Sequence, residues 1–107
     1  MRHAMQLAKE LRKMANKISI DPKALKIRSR VELFKSVEGS KIVAIIGVAQ
    51  KSRILVKDVT KFDDILKKMM VYVDHAFDGK RIVIDAPLCS KAKAKMISEG
   101  WEVVEAS

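Results

Sequence analysis

The side chains able to do acid–base or metal chemistry are scattered along this chain. Glu32 sits in an alternating stretch, Asp58 and Asp85 end two apolar runs, and Asp74 stands alone on a helical pattern. General acid–base or two-metal catalysis needs carboxylates that converge, and no local ligand motif gathers these. Asp63 and Asp64 fall in the first turn expected of a helix, where acids meet the positive end of its dipole. His3 and His75 lack a second imidazole or thiol at ligand spacing, so no metal is expected. Cys89 is the single cysteine; it excludes an intramolecular disulfide and, with no base beside it, reads as a structural thiol in a reducing compartment. There is no glycine-rich phosphate loop and no nucleophile elbow, and no cofactor is expected.

Phosphate chemistry is better supplied. Lys and Arg number 22 against 13 Asp and Glu, a net charge of +9 over 107 residues. Residues 1–35 hold ten Lys and Arg against three acids, whereas residues 36–107 hold twelve against ten. Arg2, Lys9, Lys13 and Lys17, with Arg12 at their flank, recur along one side of the N-terminal segment, and Arg28 and Arg30 share the outward parity of the next element. A face of this kind can neutralise the backbone phosphates of DNA or RNA. Aromatic side chains are only 5% of residues, too few for the stacking platforms of single-strand binders.

The elements that must carry these residues follow from periodicity. Ala4, Leu7, Ala8, Leu11, Met14, Ala15 and Ile18 form a helical stripe with the cations opposite. Asp21-Pro22 stops that helix and opens a new turn. Residues 27–33 alternate as a half-buried strand, and the apolar runs 42–48 and 53–59 predict an antiparallel hairpin. Thr60 caps a helix that runs to Gly79, residues 81–86 form a strand, Ser90 caps a second helix, and a last strand spans residues 101–105, parallel to the one before it. The expected fold is therefore α/β, a single domain over residues 1–107 in the order α-β-β-β-α-β-α-β, with a mixed sheet flanked by helices. No apolar run approaches the roughly 18 residues of a membrane-spanning helix, so no membrane partner is expected and the cytoplasm is the expected location.

This order resembles the PD-(D/E)XK, or restriction-endonuclease-like, nuclease superfamily and its archaeal Holliday-junction-resolvase-type members. Arg53-Ile54-Leu55-Val56-Lys57-Asp58-Val59 resembles the strand that carries Glu-x-Lys in those nucleases, and residues 80–104 resemble their C-terminal β-α-β tail. The resemblance implies that Lys57 is the family's lysine, with Leu55 in place of the metal-binding glutamate, so that Lys57 points into a former active-site cleft. It further implies a site that has lost its acidic metal ligands while keeping a fold that binds nucleic acid. A ribonuclease-H-like order is the alternative fold. The expected function is nucleic-acid binding through Arg2, Lys9, Arg12, Lys13, Lys17, Arg28, Arg30 and Lys57, without catalysis. A protein-interaction subunit acting as a homodimer is the alternative function. A third is a divergent metal nuclease drawing on Lys57, Asp85 and Glu32.

Overall fold

The computed structural model describes Leu11, residues 17–27 and residues 31–106. Five strands make one sheet, β1 (Lys17–Ile20), β2 (Val31–Glu38), β3 (Lys41–Ala49), β4 (Gly79–Asp85) and β5 (Trp101–Glu105), lying side by side in chain order. The β1–β2 and β2–β3 pairs are antiparallel, and the β3–β4 and β4–β5 pairs are parallel. Parallel neighbours require crossovers. These are supplied by α1 (Val56–Val73) and α2 (Ser90–Ser98), and a short 3-10 turn, Pro22–Leu25, follows β1. The fold class is thus α/β with a mixed sheet, as the sequence predicts.

Several expected elements are corrected. The hairpin joins β2 to β3 rather than residues 42–48 to 53–59. Its loop is Gly39 and Ser40, and Gly39 adopts φ 65°, the left-handed geometry that glycine reaches without a Cβ clash. Within residues 53–59 only Ile54 makes a β-bridge, to Leu88, and α1 has begun by Val56. The β-branched run misled because it joins two structures: Ile54 anchors a bridge, whereas Val59 starts the buried helical stripe Val59, Phe62, Ile65 and Met69. Asp58, not Thr60, opens the helix, its carboxylate accepting the Leu55 N–H at 2.8 Å. The helix ends at Asp74, which takes the left-handed conformation with φ 53°, so Phe77 follows it and Gly79 begins β4.

The strand expected over residues 27–33 is shifted to Val31–Glu38, and Arg28 and Arg30 lie outside the described residues. Lys17 and Ile18, expected to finish the first helix, belong to β1 instead. Arg2, Lys9, Arg12 and Lys13 lie outside the described residues, so the basic helical face does too. Asp21-Pro22 behaves as expected: Asp21 accepts the Lys23 N–H at 2.9 Å and Pro22 opens the 3-10 turn.

Both faces of the sheet are buried. Leu33, Ala44, Ile46, Ile82, Ile84 and Trp101 pack beneath α1 and α2, where Phe62, Met69, Ala92 and Met96 meet them. Val43, Ile45 and Val83 point the opposite way, into a smaller cluster with Leu11 and Ala106. Central strands buried on two faces must be apolar at successive positions, which is why β3 reads as an unbroken hydrophobic run.

Candidate nucleic-acid interface

Parallel β3 and β4 both end at the same edge of the sheet, and each hands the chain to a helix there. The two connections are stitched together: the Ile54 N–H donates to the Pro87 carbonyl at 2.9 Å, and the Cys89 N–H donates to the Ile54 carbonyl at 3.0 Å. The N-termini of α1 and α2 therefore lie side by side. Each carries the positive end of a dipole, which favours anions; the Asp58 carboxylate meets that of α1, and at α2 the Ala92 and Lys91 N–H groups face the Cys89 sulfur. Lys51, Arg53, Lys57 and Lys91 surround this edge, and all four are exposed. None of them is ion-paired among the described residues. The first turn of α2 contains no acid, although Lys93 is neutralised by Glu105 at 2.7 Å. Cations here oppose the local dipole, and a bound anion relieves that conflict.

Cys89 is the N-cap residue of α2. Its side chain makes no cap hydrogen bond, but the backbone N–H groups of Ala92 and Lys91, aided by the charges of Arg53 and Lys91, hold the thiol below its ordinary pKa. Lys57 occupies the first turn of α1 rather than a strand, so it does not share a strand face with Leu55 and does not point from the sheet into a cleft. It reaches the anion-favouring edge by a different route from the one the sequence implied.

The three weak catalytic candidates are not brought together. Asp85 is buried, 1% exposed, at the end of β4, and is engaged in an interaction of its own. Glu32 is exposed on β2 opposite Gly47, and Asp85 lies opposite Ala49. They share a sheet face but flank β3 two residues out of step, about 10 Å across and about 7 Å along the sheet. Lys57 rides on α1, against the other face. No group of three His, Cys, Asp or Glu side chains disposed to hold a metal occurs among the described residues. Asp63, expected to serve the helix dipole, accepts the Trp101 indole N–H at 3.2 Å.

The remaining charges on the Asp85 face are structural. Arg81 grips Glu38 with two hydrogen bonds of 2.7 and 3.0 Å and meets Glu102 at 3.1 Å. The hydrogen bond from Arg81 lowers the Glu38 pKa, and that bond raises the Arg81 pKa in turn. Lys17 lies over the Phe34 ring, 5.8 Å from its centroid, a cation–π contact rather than a free helical cation.

Sequence reasoning passed over Lys51, Arg53 and Lys91. The signal available was positional: in an α/β sheet, ligands favour the carboxyl ends of parallel strands, and these cations lie in the segments that leave β3 and β4 there. No protein-family model, curated protein or solved structure matches this chain. No helix among the described residues is long and apolar enough to cross a membrane.

Proposed function

We propose that this protein binds nucleic acid through backbone phosphates and does not cleave it. The observation carrying this reading is the edge where two helix N-termini converge among exposed Lys51, Arg53, Lys57 and Lys91. Phosphate oxygens are drawn to the exposed cations and to the positive ends of the two helix dipoles, and neutralise the cations as they bind. Arg2, Lys9, Arg12, Lys13, Arg28 and Arg30, which lie outside the described residues, add to the positive charge available to a polyanion in this proposal; Lys17 pairs with Ser36 at the other end of the sheet and is not part of this edge.

The layout supports a degenerate restriction-endonuclease-like fold. Three antiparallel strands precede a helix and a parallel strand, followed by a further helix and strand. That family places metal-binding acids on its second and third strands. Here the third strand, β3, has Lys41 as its only charged residue, which supports binding without metal-dependent catalysis.

The test is affinity for duplex DNA and structured RNA across a salt series, with Mg²⁺ and Mn²⁺ present and absent. Affinity should fall steeply with salt, with a slope of about 0.9 per phosphate contacted on B-DNA. Changing Arg53, Lys57 and Lys91 together to glutamate should weaken binding at least about tenfold, the equivalent of about 1.4 kcal/mol. Changing Lys61, Lys67 and Lys68 alters net charge equally and should have little effect. Equal losses would reduce the interface to net charge alone, and metal-dependent cleavage abolished by Asp85→Ala or Glu32→Ala would establish the nuclease instead.

A further inference from the structure

A second surface, on the flank of the molecule away from the helix N-termini, has a different chemistry. The 3-10 turn packs beside the C-terminal half of α1, and between them lies an open groove of about 350 Å³. It is lined by the apolar side chains of Ala24, Leu25 and Val71, by Tyr72, and by the cations Lys26, Lys67 and Lys68. None of the lining residues is acidic. Val71 is 81% exposed and Tyr72 55% exposed. The core does not require them to be apolar, since their side chains contribute so little to it. On α1, Lys67 and Lys68 lie three to five residues before Val71 and Tyr72, so cations and apolar side chains alternate along one helical ridge.

The third cation is held in place at some conformational expense. Lys26 ends the 3-10 turn in the left-handed conformation, φ 59°, its N–H donating to the carbonyls of Lys23 and Pro22. Glycine or asparagine adopts that geometry more cheaply. A lysine there adds a positive charge to the groove lining.

We propose that this groove docks an acidic amphipathic helix of a partner protein, which lays one or two large apolar side chains on Leu25, Val71 and Tyr72 and sets flanking carboxylates against Lys26, Lys67 and Lys68. Charge complementarity selects this occupant. A nucleic acid would satisfy the lysines but leave the apolar lining residues facing a phosphate backbone. A second copy would bring two sets of three lysines together, at a repulsive cost. The openness of the groove suits a helix ridge with anchors at i and i+3 or i+4 better than an alkyl chain, which gains most from full enclosure. This inference stands independently of the nucleic-acid reading, because it uses another surface and other residues.

The experiment is a selection of random twelve-residue peptides displayed against the full chain, followed by fluorescence anisotropy with the enriched peptides made synthetically. Enriched sequences should pair one or two large apolar residues with flanking Asp or Glu. Val71→Ser, a change at an exposed position, and the double change Lys67→Glu with Lys68→Glu should each weaken binding at least tenfold while thermal unfolding is unchanged. The Arg53, Lys57 and Lys91 triple variant should bind these peptides as the parent does. The proposal is overturned if no peptide is enriched, if enriched peptides lack acids or apolar anchors, or if the groove variants bind unchanged. It is equally overturned if decanoate fills the groove and the peptides do not. Self-association of the protein that Val71→Ser abolishes would make a second copy the occupant.

Discussion

The thiol of Cys89 owes its character to its address rather than to a neighbouring base. An N-cap sulfur beside the N–H groups of Lys91 and Ala92, with Arg53 and Lys91 nearby, is stabilised as the thiolate. Its pKa is lowered, so at any pH below the ordinary thiol value of about 8.5 a larger fraction is ionised than in a free cysteine. Alkylation by iodoacetamide should therefore inflect at lower pH than for a cysteine-containing model peptide, and bound nucleic acid should slow it by placing phosphate at the same edge. A profile that coincides with the peptide's would show that the helix terminus does not act on Cys89. The sequence showed a lone cysteine before a capping serine. It could not show that Cys89 rather than Ser90 occupies the N-cap position, because that depends on where the β4–α2 connection is tied to Ile54.

At the level of elements, the start of α1 depends on a reach of three residues. Leu55 has no side-chain oxygen to cap the helix, so the bond from its backbone N–H to the Asp58 carboxylate supplies half of a capping box, and the Asp58 charge also meets the helix dipole. Asp58→Ala should lower unfolding free energy by about 1 kcal/mol in a denaturant titration, with the m-value unchanged. Loss of less than a few tenths would show that the helix is started by packing of Val59 and Phe62 alone. The long helix was legible from its apolar stripe, as were β3, β4, α2 and β5, because their periodicity and turn glycines agree with the tertiary environment. The boundary at residues 53–59 was not, since a β-branched run serves a bridge and a first helical turn equally well until the partner strand is known. β1 was hidden for a related reason: Lys17 and Ile18 continue a helical stripe in sequence, and only pairing with Ser36 and Lys35 makes them a strand.

Across the whole molecule, the class of fold could be read from alternating helix and strand patterns, but the clustering of cations could not. Lys51, Arg53, Lys57 and Lys91 are separated by up to forty positions and meet only because two crossovers begin at one edge of the sheet. The groove is equally invisible in sequence, because the turn Pro22–Leu25 that lines it with Val71 and Tyr72 comes beside α1 only in the folded chain. Arg81 has a consequence of another kind. Its guanidinium, on β4, holds Glu38 on β2 and Glu102 on β5, and so ties the antiparallel half of the sheet to the parallel half over partners 43 and 21 positions away in the chain. Such a clasp can close only after the hairpin has formed and the crossover has brought β4 alongside β3, late in assembly. An interaction absent from the transition state governs how long the native molecule lasts, not how quickly it is reached. Arg81→Gln should therefore steepen the decay of the folded protein in stopped-flow unfolding while leaving refolding rates nearly unchanged; a slowed refolding limb would place the clasp among the earliest contacts instead.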